Sequence, residues 1–183
     1  MFIQTETTPN PATLKFIPGR QVMAGGTAHF AGAGDAVGRS PLAEQLFAVP
    51  GVAGVFLGGD FISVTKDEAE DWFQLKPGVL GAIMEHYLSG RPVVEAQAPA
   101  AGGEVEADDE IVSAIKELIE TRVRPAVAQD GGDIIFENFS DGIVYLQMHG
   151  ACSGCPSSTA TLKAGIENML RHYVPEVIEV RSV

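Results

Sequence analysis

The chain has 183 residues, enough for one large domain or two small ones. Apolar residues make up 45% and charged residues 20%, a balance that belongs to folded rather than disordered chains. The 24 acidic residues outnumber 12 basic ones for a net charge of -12, which argues against a nucleic-acid binder and against docking on anionic membrane surfaces. No apolar run approaches the roughly 18 residues of a membrane-crossing helix, so neither nucleic acid nor a membrane is expected as a partner.

Taken in chain order, residues 2–6 and 13–17 read as a hairpin about Thr8-Pro9-Asn10-Pro11. Residues 18–40 are glycine-rich, with a short strand expected at Ala28-His29-Phe30. The stretch Gly32-Ala33-Gly34-Asp35-Ala36-Val37-Gly38 has the wrong spacing for a dinucleotide loop and reads as flexible. Ser40 before Pro41 predicts a helix start. Residues 52–57 and 61–66 predict two strands split by Gly58-Gly59-Asp60, a hairpin signal. Trp72 and Phe73, after the acidic stretch 67–71, are expected to anchor a loop. A second helix is expected beyond Pro77, with Leu80, Ile83, Met84, Tyr87 and Leu88 at helical spacing.

Between 91 and 107 the apolar periodicity vanishes into Pro, Ala, Gly and Glu, the composition of a flexible linker. Beyond it the pattern is sharper. A helix is expected over 109–128, with Ile111, Ile115, Leu118, Ile119 and Val123 on one face and Pro125 kinking or ending it. Asp130-Gly131-Gly132-Asp133 reads as a turn requiring a positive φ at glycine. Strands over 134–139 and 143–149, a helix over 157–173 stopped by Pro175, and a last strand over 176–183 follow. The order is α-β-β-α-β, and a right-handed crossover places the last two strands parallel. The fold class is therefore α+β: two small mixed α/β domains, 1–90 and 108–183, on either side of the 91–107 linker.

The sequence 1–6, Met1-Phe2-Ile3-Gln4-Thr5-Glu6, has neither the basic and apolar regions of a signal peptide nor the arginines of a transit peptide. Two cysteines make no secreted disulfide framework. A reducing compartment follows: a bacterial cytoplasm, or the mitochondrial matrix if a transit peptide has been removed. In such a compartment a close cysteine pair points to metal or catalysis.

Both cysteines lie in Cys152-Ser153-Gly154-Cys155, followed by Pro156-Ser157-Ser158. The pair falls between a strand and a helix, where first-turn N–H groups favour thiolate over thiol. Small residues between the cysteines imply an exposed turn with uncovered sulfurs. Two thiolates supply half of the four ligands that iron–sulfur clusters and structural zinc take, so a site shared by two copies is the simplest metal reading. Replacing either cysteine by serine is then expected to abolish metal binding and leave the fold intact. His149 has chelating spacing to the pair, yet it falls on the strand face of Tyr145 and Gln147 and reads as an exposed strand-end histidine. His29, His86 and His172 are isolated and read as surface or packing residues. A CxxC thiol–disulfide oxidoreductase is the rival, because strand–CxxC–helix is the thioredoxin-like arrangement too. Against it, this pair lies late in its domain, and Ala151, not an aromatic residue, precedes it.

Residues 109–183 closely resemble the NifU-like C-terminal domain of Nfu-type iron–sulfur proteins. The resemblance is carried by Thr121-Arg122-Val123-Arg124-Pro125, Asp130-Gly131-Gly132-Asp133, the Cys152–Ser158 run, Thr161-Leu162-Lys163-x-Gly165-Ile166-Glu167 and Tyr173-Val174-Pro175-Glu176-Val177. Residues 1–90 resemble the N-terminal domain that accompanies it, through Gln4-Thr5-Glu6-x-Thr8-Pro9-Asn10-Pro11. The resemblance implies a cluster carrier, not an enzyme. Cys152 and Cys155 would hold a 4Fe–4S cluster between the two subunits of a homodimer. Upstream cluster donors would load it, and apo-proteins of the lipoyl synthase and aconitase type would receive it.

Overall fold

The computed structural model describes residues 1–95, 110–153 and 156–183. The chain forms two compact mixed α/β units, Met1–Ala98 and Pro99–Val183, each with its own sheet and its own apolar core. No helix among the described residues is long and apolar enough to cross a membrane.

In the first unit, β1 (Gln4–Thr7) and β2 (Thr13–Ile17) pair antiparallel. Their turn is closed by Asn10, whose Oδ1 accepts from the Ala12 N–H at 3.0 Å. β3 (Ala28–Phe30) leads into α1 (Ala33–Ala36), a single helical turn inside the stretch expected to be a flexible loop. α2 (Pro41–Phe47) begins as its sequence requires, with Ser40 Oγ accepting from the Ala43 N–H at 3.1 Å and Pro41 in the first turn. β4 (Val52–Leu57) and β5 (Ile62–Lys66) form the expected hairpin and complete an antiparallel sheet of order β1-β2-β5-β4-β3. Phe16, Leu42, Leu46, Val55, Leu57, Ile62 and Val64 bury its core together with Leu75, Val79 and Ile83 of α3 (Trp72–Ser89).

α3 starts earlier than Pro77. Asp71 caps it, its Oδ1 accepting from the Phe73 N–H at 2.9 Å, and Pro77 is carried inside the helix on its exposed side. Trp72 therefore lies in a helix, and from there it anchors a loop as expected. It fastens the first helical turn to the β1–β2 turn: its Nε1–H donates to the Pro11 carbonyl at 3.1 Å, and its ring lies 6.4 Å from that of Phe16. Phe73 points to solvent, 88% exposed.

The residues read as the start of the linker are held to this unit. Ser40 Oγ donates to the Val93 carbonyl at 2.6 Å and the Glu95 N–H to the Arg39 carbonyl at 2.8 Å. The rest of the expected linker, 96–107, lies outside the described residues.

The second unit opens with a helix over 110–129 that Pro125 does not end. α4 (Glu110–Leu118) passes into a π-helical turn, Ile119–Val123, and then into α5 (Arg124–Gln129). The wider turn places the Arg124 N–H on the Ile119 carbonyl, five residues back, just before the prolyl nitrogen that has no hydrogen to give. The helix thus absorbs the proline by changing its winding. β6 (Gly132–Ser140) and β7 (Ile143–Gly150) make an antiparallel hairpin with a bulge at Glu137. α6 (Pro156–Tyr173) returns the chain to β8 (Glu179–Ser182), which pairs parallel to β7 with Val180 opposite Val144. The α-β-β-α-β order and the parallel last pair are those expected. β6 is one edge of the sheet. Ile115, Ile119, Val127, Ile134, Val144, Leu146, Ile166, Leu170 and Val180 fill the core.

One charged pair ties the end of the long helix to the start of β6. Arg124 donates from Nε to Asp133 Oδ1 at 2.8 Å and from Nη2 to Oδ2 at 2.7 Å, a two-pronged match of guanidinium to carboxylate. Its Nη1 reaches Glu120 at 2.7 Å. The Asp133 side chain is 4% exposed and that of Arg124 27%, so the carboxylate is the member stranded if the pair is broken. Arg124→Met is expected to destabilise the second unit by about 3–5 kcal/mol, the cost of an uncompensated buried charge. Asp133→Asn in the same chain should recover part of the loss. Urea unfolding of the four chains of this cycle, followed by circular dichroism, checks it.

His86 on α3 is fully buried, and neither ring nitrogen has a hydrogen-bond partner. Burial, with a smaller contribution from the Arg91 charge, holds its pKa below 6.5. The unfolded chain therefore takes up a proton at a pH where the folded unit refuses it. The resulting stability is complete above pH 6.5 and falls as pH drops below it, by at most about 1.4 kcal/mol per pH unit. Trp72, the one tryptophan in the chain, reports on this unit. Urea midpoints from its fluorescence should drop between pH 6.5 and 5 in the native chain, with a shallower drop in His86→Leu.

Candidate functional site

The site is built at the open end of the β6–β7 ladder, where the first residue of β6 lies beside the last of β7. Gly132 pairs with Gly150, and both neighbouring turns need backbone that favours glycine: φ is +80° at Gly131 and +65° at Gly150. From Gly150 the chain reverses through Ala151, whose N–H donates to the Gly131 carbonyl at 3.2 Å. The Ser153 N–H and Oγ both donate to the Gly150 carbonyl, at 3.1 and 2.9 Å. Thr159 of α6 closes the turn from the other side, its Oγ1 donating to the Cys152 carbonyl at 3.1 Å.

Cys152 is a free thiol in this turn, and its position corrects the expectation of an uncovered sulfur. It is 6% exposed and belongs to the core cluster of Val123, Val127 and Ile166. Burial pushes its pKa up to about 12, and the charges of Asp130 and Asp133 push the same way. A helix N-terminus contributes about 0.3–1 kcal/mol, less than one pKa unit, which is too little to offset a rise from 9.0 to about 12. Desolvation therefore outweighs the helix dipole at Cys152. The expectation that serine at position 152 leaves the fold untouched also loses its basis, because a hydroxyl there would be desolvated. Cys155, the second expected ligand, lies outside the described residues.

Gly132 was read only as part of a turn, yet it is shaped by the cysteine. A Cβ at this position would lie 2.5 Å from Cys152 Sγ, 2.8 Å from the His149 carbonyl oxygen and 3.1 Å from the Cys152 nitrogen. Within Asp130-Gly131-Gly132-Asp133 the roles therefore separate. Gly131 supplies the left-handed turn, Gly132 supplies room for the sulfur and the backbone of the cysteine turn, and Asp133 supplies the anchor for Arg124. The sequence signal for the Arg124–Asp133 pair was present as an arginine at the end of a helix nine residues before an aspartate at a strand start. Spacing alone did not reveal that they meet.

His149 is half-buried, not exposed, and stands opposite Asp133 in the ladder. Burial lowers its pKa, with the Asp133 charge pulling the other way. Among the described residues no three His, Cys, Asp or Glu side chains gather as a metal site. His86 is a core residue on α3 of the first unit.

Residues 3–90 match the family described as scaffold protein Nfu/NifU N terminal, and residues 115–181 match the NifU-like domain. Along all of its length the chain is 52% identical to a human protein and 51% identical to one from Drosophila virilis. Each is named NFU1 iron-sulfur cluster scaffold homolog, mitochondrial. The chain spans 72% of the human relative and 62% of the fly one. A solution structure of a NifU-like protein from Saccharomyces cerevisiae is 27% identical over 53% of this chain and 87% of that one, with a TM-score of 0.48. Two domains matched in order, and half-identity to the human relative from end to end, mean that the chain belongs to the Nfu/NifU scaffold protein family.

Proposed function

We propose that this protein is an iron–sulfur cluster scaffold and carrier, not an enzyme, with the cluster as its cargo. The observation that carries the reading is the end-to-end likeness to proteins named iron–sulfur cluster scaffolds, combined with a cysteine turn built by Gly131, Gly132 and Gly150 at the end of the β6–β7 ladder. Cys152 and Cys155 of one copy supply two ligands, and those of a second copy supply the other two of a 4Fe–4S cluster. A cluster shared between copies is accessible to exchange. Donors that load it and apo-proteins that receive it, of the lipoyl synthase and aconitase type, are the partners we infer. The compartment is a reducing one, either a mitochondrial matrix, the relatives being named mitochondrial, or a bacterial cytoplasm.

The disulfide-exchange alternative needs an accessible attacking thiolate of low pKa. Cys152, buried and pushed up to about 12, offers none in the position it occupies here. Anaerobic reconstitution with iron and sulfide is expected to give a brown dimer with about four irons per dimer. Cys152→Ala and Cys155→Ala should each stay colourless and monomeric. Absorption and Mössbauer spectra with iron counted per subunit check this. A native chain that remains a colourless monomer under these conditions sinks the proposal.

A further inference from the structure

The thiol that the carrier function needs is also part of the domain core. Cys152 is buried as a member of the second unit's apolar core, and its Sγ lies where a side chain at residue 132 would begin, 2.5 Å from a Cβ placed there. No positive φ requires glycine at 132; the backbone constraint falls on Gly131 instead. A side chain at 132 would take away the room that the sulfur occupies and would also press on the backbone of the cysteine turn, at the His149 carbonyl oxygen and the Cys152 nitrogen. A ligand shared with a second copy cannot sit in that core, since the cargo must face out of the domain to meet four sulfurs from two chains. On the carrier reading Cys152 needs a second, outer position besides the inner one that the structure shows.

We infer that Gly132 is a positioning residue for delivery: it forms the notch into which the Cys152 sulfur withdraws as the cluster leaves, so that burial of the side chain favours handover. This rests on the carrier reading above. In the exchange an acceptor cysteine forms a sulfur–iron bond as the Cys152–iron bond breaks. The proton given up by the acceptor thiol is matched by the one that Cys152 takes up, and no electron moves. Recapture by the donor then requires Cys152 to leave the core again, which biases the exchange forward. The withdrawn sulfur also does not remain on the surface as a competing nucleophile.

The test begins on the metal-free full chain. Iodoacetamide labelling of Cys152, read by peptide mass spectrometry, should be about tenfold or more slower in buffer than in urea, the mark of a thiol released only by local opening. Gly132→Ala should remove most of that protection, and after reconstitution it should pass its cluster to an apo-ferredoxin more slowly than the native chain does. Labelling of the native chain at the unfolded rate, or full protection in Gly132→Ala, overturns the inference. Should Gly132→Ala not fold, Cys152→Ser and Cys152→Ala carry the test. A buried position predicts that serine lowers the unfolding temperature several degrees more than alanine, whereas equal temperatures overturn the notch. Protection without any cluster uptake overturns the carrier reading and the delivery role with it. Cluster uptake without Gly132-dependent protection overturns this inference alone.

Discussion

The second unit depends on one close approach, that of the Gly132 backbone to the sulfur of Cys152. Two segments far apart in sequence, the start of β6 and the turn after β7, are brought together because the hairpin is long enough to return the chain to its own beginning. The ladder ends in a pair of glycines, each beside or within a left-handed turn, so both chains can bend away at once. Arg124 fixes the β6 end by holding Asp133, and Thr159 fixes the other by holding the Cys152 carbonyl. The π turn belongs to the same arrangement. It lets the long helix run through Pro125, so that Arg124 is helical and its guanidinium lies level with the strand it grips. Remove the side-chain-free position and the turn must open; remove the ion pair and the position is no longer held.

Burial and charge compete at this site, and their magnitudes decide the outcome. A sulfur at a strand-to-helix junction reads as an activated one when only the helix terminus is considered. The surrounding apolar side chains and two nearby carboxylates act in the opposite sense and prevail. The same logic governs His86 in the first unit, where a fully buried imidazole without hydrogen-bond partners stays neutral because no partner offsets the loss of water.

Most of the architecture was legible in the sequence because local signals and tertiary packing agree. Ser40 with Pro41, Gly58-Gly59-Asp60 and the alternating strands of the second unit each specify their element, and the crossover rule oriented β8. The failures have physical causes. Proline was read as the boundary of a helix at 77 and as a kink or an end at 125. In α3 it lies on the solvent side, and in the second unit a π turn accommodates it. Trp72 does anchor a loop, but which one was hidden, because its hydrogen bond to Pro11 spans 61 residues. At the site, the cysteine motif was plain, but the burial of Cys152 was not. That depends on the absence of an atom at position 132, and periodicity carries no information about what a neighbouring turn leaves empty.

The bulge at Glu137 has a consequence of another kind. β6 is the open edge of a three-stranded sheet, and its nine residues would give a second copy a long template for strand pairing. The bulge interrupts that template and puts a carboxylate at the break. A second copy that meets this edge therefore finds it resistant to continuous sheet extension. The same break that kinks the strand thus guards the sheet against stacking edge to edge into a fibre.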